Sequence, residues 1–171
     1  MHAEAVTPSL HAIERALHIL ERIRAAGRED ILDAQLSPGM FNGGTQLRTV
    51  GIFGLRSTFM LTGRDWPKDM LGKGFADGPE GLSERLRLAS AQIGALSPED
   101  FEGAATRTIT HKAGDAVLAQ QGDVYLRLFA LPNLWFHLSM AYAIARAEGL
   151  DLGKGDFDGW HSYAPGFSFV T

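Results

Sequence analysis

The sequence predicts an all-α domain, a four-helix bundle with a small β-hairpin before its last helix. Three observations carry this expectation. Apolar residues return every three or four positions in three separate stretches, the spacing of one helix face. A fourth stretch, near the C-terminus, is apolar on most sides. Between the third and fourth stretches, one short run changes to a period of two.

The first helix is expected from the cap and first-turn proline of Thr7, Pro8 and Ser9 to a stop at Gly27. Leu10, Ile13, Leu17 and Leu20 step by three, four and three residues into one stripe. Residues 36–44 are rich in turn formers. A second helix is expected over about Thr45–Leu61, with Leu47, Val50, Leu55 and Phe59 on its buried face and Gly63 as its stop. Gly51 and Gly54 each cost roughly 1 kcal/mol against alanine inside a helix. They therefore predict a close approach to a neighbouring helix.

Arg64–Gly81 holds six glycines or prolines and reads as a long crossover. A simple up-down-up-down order does not need one. The third helix, near Leu82–Leu96, carries Leu82, Leu86, Ala89, Ile93 and Leu96 on one face. Ser97-Pro98-Glu99-Asp100 reads as a turn with a short helical start. Thr106, Thr108 and Thr110 then alternate with Arg107, Ile109 and His111, and Gly114-Asp115 closes a hairpin. The longest helix is expected from about Asp123 to Glu148. Pro132 should kink or break it, because proline lacks a donor and clashes one turn back. A helix apolar on most sides sits centrally or covers a subunit interface.

Length and composition bound the function. The chain has 171 residues, 45% hydrophobic and 21% charged, which suits one globular domain, 1–171. Sixteen basic and twenty acidic residues leave a net charge of −4, without the basic patch that nucleic-acid binding needs. With no cysteine, disulfides, thiolate metal sites and a cysteine nucleophile are excluded. Met1–Ser9 lacks an export signal, and a cytoplasmic protein is expected. Leu128–Ala145 carries no Asp, Glu, Lys or Arg, yet Pro132, Asn133, His137, Ser139 and Tyr142 interrupt it. A buried core helix explains this pattern better than a membrane span.

Bundles build their sites from inward side chains on facing helices. Asn133 and His137 are four apart and share a helix face. They are either a polar site within the bundle or, for His137, a core histidine satisfied by a neighbouring carbonyl or hydroxyl. An Asn–His pair is not a metal motif, since a catalytic metal wants about three protein ligands. Glu14 and His18 read as an exposed ion pair, His2 as part of a mobile terminus, and His111 as an exposed strand residue. The aromatic tail around His161 is expected to pack along the bundle or on a second subunit. Gly72-Lys73-Gly74 and Gly153-Lys154-Gly155 resemble phosphate loops without the strand–loop–helix setting that such loops require.

Leu36-Ser37-Pro38-Gly39-Met40-Phe41 with Gln46, then Phe129-Ala130-Leu131-Pro132-Asn133-Leu134-Trp135-Phe136-His137 with Ala141-Tyr142-Ala143-Ile144, then Leu152-Gly153-Lys154-Gly155-Asp156-Phe157, are the three most telling segments. In register over about Ser9–Gly159, they resemble domain-of-unknown-function family nineteen ninety-three of the DinB/YfiT-like superfamily. The resemblance implies an up-down-down-up bundle, often dimeric. It also implies a superfamily metal site built from one helix-two histidine and an H-x-x-x-H pair on the last helix. Here the pair is Asn133 and His137, and an ungapped reading from Phe41 puts the helix-two position at Phe53. Gly39 stands where the family usually has aspartate.

The expected function is therefore a homodimeric small-ligand-binding or interaction protein whose metal site has decayed. Its ligand would lie by His137, Asn133, Gln46 and Tyr142. No cofactor is expected, and neither nucleic acid nor membrane is an expected partner. The alternative is a metal-dependent enzyme, of thiol-transferase or hydrolase type. It would bind zinc or nickel through His137 and replacement ligands such as His11 or His18.

Overall fold

A computed structural model describes residues 1–68 and 74–164. Most of the Gly72-Lys73-Gly74 segment lies outside the described residues. The other phosphate-loop look-alike opens a one-turn helix, with Gly153 N–H donating to Asp156 Oδ2 at 2.7 Å.

Helix α1 spans His2–Ala25. It starts five residues earlier than its sequence suggests and carries Pro8 inside. Tertiary contacts hold the extra turn. Ala5 and Val6 are buried, the His2 ring meets Phe101 edge-on, and His2 Nε2 lies 3.0 Å from Leu96 O. His2 is thus anchored rather than mobile. The buried face is Ala12, Ile13, Ala16, Ile19, Leu20 and Ile23, so the stripe is rotated and Leu10 and Leu17 flank it.

Helix α2 spans Gly43–Thr62, capped by Asn42 Oδ1, which accepts from Thr45 N–H at 2.9 Å. Gly63 ends it at φ 78°, a conformation glycine adopts without strain. The expected close approach is present. A methyl on Gly54 would sit 2.9 Å from Ile13 Cδ1, and one on Gly51 would sit 3.2 Å from Leu86 Cδ2. Helix α3, Gly78–Gly94, buries Leu82, Leu86, Ala89 and Ile93, and Leu96 is buried just beyond its end.

A 3-10 turn at Pro98–Phe101 follows, where Ser97 N–H donates to Asp100 Oδ2. Strands β1, Thr108–Ala113, and β2, Ala116–Gln121, pair antiparallel with Thr108 opposite Gln121. Helix α4 runs from Gly122 to Ala147. It does not break at Pro132. Instead Tyr125–Ala130 widens to a π-helix, with α-helix resuming at Leu131. A π segment removes the register that would drive the proline ring into the preceding turn's carbonyl. Helix α5, Lys154–Asp158, is the last helix among the described residues.

Side-chain pairs set the helix directions. Arg24, late in α1, bonds Glu80, early in α3, so these helices run antiparallel. Ser9 bonds Ser57 at 2.7 Å, which orients α2 against α1 as well. Arg127 reaches Glu4 at one end of the bundle, and Arg28 reaches Glu148 at the other. Helix α4 is therefore parallel to α1. The order is up-down-down-up, and the parallel pair α2–α3 explains the long crossover.

By length and composition α4 could cross a membrane, but it packs on α1 and α2. It buries Leu134, Leu138, Ala141 and Ile144 there. That face belongs to the bundle core.

Candidate functional site

Gln46 stands one turn into α2 and faces α4, where it is 2% exposed. Its Oε1 accepts from His137 Nδ1 at 2.7 Å. An amide oxygen only accepts, so Nδ1 carries the hydrogen and a neutral ring keeps its lone pair on Nε2. Phe53 stacks on one side of the imidazole at 5.5 Å and 22°, and Phe41 stacks at 6.2 Å and 18°. Phe136 meets it edge-on at 5.3 Å. His137 itself is 8% exposed, while Phe41 and Phe136 are each about half exposed.

Burial pushes the His137 imidazole below its ordinary pKa. The neutral ring is thus favoured in the fold. The unfolded chain takes up a proton below about pH 6.5, where the folded chain resists it, so stability falls as pH drops through that value. Urea unfolding near pH 7.5 and near pH 5.5 should show this loss in the natural protein. His137→Leu should lose less between the two pH values. At the higher pH the variant should already be about 1–3 kcal/mol weaker, because Gln46 Oε1 is left buried without a donor. Equal pH losses in both proteins would contradict a neutral, buried ring.

The other expected site residues divide. Asn133 lies one turn before His137 on α4, half-buried, and its Nδ2 donates to Phe129 O at 2.7 Å. Tyr142 is not brought to this group. Five residues beyond His137 it has turned roughly 140° round the helix, and its ring packs on Phe157 of α5 at 5.7 Å.

His11 and His18 do not face His137 either. His11 Nε2 lies 3.0 Å from Asp158 O, and its ring stacks on Trp160 at 4.7 Å. Trp160, though largely exposed, thus lies against α1. His18 does not pair with Glu14. Asp156 Oδ1 accepts from His18 Nε2 at 2.7 Å and from Arg22 Nη1 at 2.9 Å. Burial works against ionisation of Asp156, yet the His18 bond, the Gly153 N–H and Arg22 outweigh it and lower its pKa. The backbone N–H groups of His161 and Trp160 hold Asp158 down at about 2.

One residue group escaped the sequence reading. His111 is 5% exposed, not a surface residue. Its ring lies 4.2 Å from Phe129 and 4.9 Å from Tyr125, and Nε2 donates to Gln120 Oε1 at 2.8 Å. The signal was present, since Ile109 and His111 lie two apart on one strand face and Ile109 must go inward. Phe53 and Phe129, 5.9 Å apart, complete a continuous row of rings from His137 to Tyr125, and the Arg56 guanidinium lies 4.9 Å over Phe53.

The metal-ligand set that the family resemblance implies is not matched by these residues. Phe53 offers only ring carbons beside His137, and Asn133 offers only a neutral amide oxygen, a poor ligand for zinc or nickel beside an imidazole. Among the described residues, no three His, Asp or Glu side chains are grouped to hold a metal ion.

Comparison with known proteins agrees with this fold. The solved structure of a DinB family member protein from Shewanella denitrificans superimposes with a TM-score of 0.77 at 22% identity, covering 95% of this chain and 94% of that one. No curated protein matches the chain. A family model described as a domain of unknown function, DUF1993, matches residues 1–158. With that match over nearly the whole bundle, the chain belongs to the DUF1993 family and has a DinB-like fold.

Proposed function

We propose that this protein is a small-ligand-binding bundle that works without a metal at the superfamily position, and that it acts as a homodimer. The observation that carries the reading is His137 held between Phe41 and Phe53 with its Nδ1 hydrogen given to Gln46. That arrangement leaves Nε2 as a neutral acceptor beside two half-exposed rings. It suits a ligand with a flat apolar body and one N–H or O–H donor. Exposed Phe41, Phe136 and Leu128 also support an apolar contact between two copies on this side of α4.

The test joins metal analysis to titration. Untagged protein is dialysed against zinc and against nickel, beside His137→Ala, and metal is counted by elemental mass spectrometry. Substoichiometric metal in both proteins is expected. Benzamide, as a flat donor probe, should then shift the His137 ring nitrogen resonances in the natural protein, and sedimentation equilibrium should give twice the chain mass. Near-stoichiometric metal that disappears in His137→Ala would overturn the reading. It would favour a metal-dependent enzyme of thiol-transferase or hydrolase type with His137 as a ligand.

A further inference from the structure

A concave site lies beyond the row of rings, where α2 meets the hairpin. Its volume is about 480 Å³, within the range of small-molecule pockets, and it is lined by Arg56, Met60, Trp66, Lys68, His111 and Lys112 among others. Among the described lining residues three are cations, Arg56, Lys68 and Lys112, against one carboxylate, Asp65. In a chain of net charge −4 that is a local reversal of sign. Among the described residues, Arg56, Lys68 and Lys112 form no ion pair.

Arg56 is also held in place. Its Nη2 donates to Lys112 O at 3.1 Å, and its guanidinium rests over Phe53 and Phe129 at 4.9 and 5.3 Å. A charge oriented before binding loses less freedom on meeting an anion. Trp66 and Met60 give the cleft apolar, half-buried walls. His111 adds a buried imidazole whose Nδ1 has no hydrogen-bond partner. We infer that this cleft binds a small organic anion, a carboxylate or phosphate joined to a flat apolar body, with Arg56, Lys68 and Lys112 on the charge and Trp66 on the body.

The site is separate from His137, and its test keeps the two apart. Phenylacetate, phenyl phosphate and the neutral isostere phenylacetamide are titrated while the Trp66 indole N–H and the His111 and Lys112 amides are followed by NMR. Saturable shifts with at least one anion are expected, with phenylacetamide at least about tenfold weaker. Whichever anion binds more tightly identifies the headgroup. The exposed pair Lys68→Gln and Lys112→Gln, which should leave the fold intact, should weaken the anion about fivefold, whereas His137→Leu should leave its affinity unchanged. Three results would overturn the inference: no saturable shift with either anion, equal affinity for phenylacetamide, or an unaltered Kd in the lysine pair.

Discussion

Replacing Phe53 and Asn133 together by histidine is expected to give near-stoichiometric zinc or nickel binding, with Kd of about 1 µM or tighter, roughly 8 kcal/mol of binding free energy. The expectation rests on placement. Phe53 and His137 have ring centroids 5.5 Å apart, and residue 133 is one helical turn from residue 137. Imidazoles at all three positions could converge on one ion at the usual zinc–nitrogen distance of about 2.0–2.1 Å. Gln46, already bonded to His137 Nδ1, would hold that ring with Nε2 toward the metal.

The double variant should be weaker than the natural protein without metal. Phe53 is 7% exposed, and a polar ring in its place costs on the order of 1–3 kcal/mol. Free metal at a hundredfold excess over Kd should return about 2.7 kcal/mol. Thermal melting with and without zinc, beside elemental analysis, reads both effects. Adding His137→Ala should abolish the metal-dependent gain. A double variant that folds but takes up no metal would mean that Phe53 and Asn133 do not occupy former ligand positions.

The largest loss of stability is expected at Tyr125. It is fully buried at the start of the π segment, with its ring against His111 and Phe129 and its hydroxyl donating to Arg56 O at 3.2 Å. Burial pushes its phenol up to about 12, so it stays neutral throughout the working range. Tyr125→Ala should cost about 3–5 kcal/mol, a large share of the roughly 5–15 kcal/mol by which a domain is stable. Tyr125→Phe keeps the volume and should cost only about 0.5–1.5 kcal/mol. Urea denaturation separates the two. Similar losses in both variants would show that the hydroxyl, not the ring, fastens the hairpin end of α4.

The parts of the fold that follow from one helix's own spacing were legible in the sequence. The α3 face is the clearest case, with all five residues of its expected stripe buried. The hairpin followed from its alternation, and the tight α2 contacts from Gly51 and Gly54. The start of α1 was missed because Pro8 is a strong local signal for a first turn, while the contacts of His2 with Leu96 and Phe101 come from the far end of α3. The site was half legible. His137 and Gln46 were named, but their bond joins positions 91 residues apart and depends on how α2 faces α4. Tyr142 was named with them, but the turn of the helix carries it to another face, against Phe157. His18 found its partner 138 residues away in Asp156, beyond any local pattern.

The π segment of α4 has a wider consequence. Each wide turn inserts part of a residue, so the two halves of one rod are out of phase with one another. The half before Pro132 can aim Tyr125 and Phe129 at the hairpin, while the half after it aims His137 at Gln46. A strictly regular helix would tie those two directions together at a fixed angle per residue. Here the seam works like a slipped gear tooth between two wheels on one axle. One helix can thereby present its rings to the hairpin at one end and an imidazole to α2 at the other.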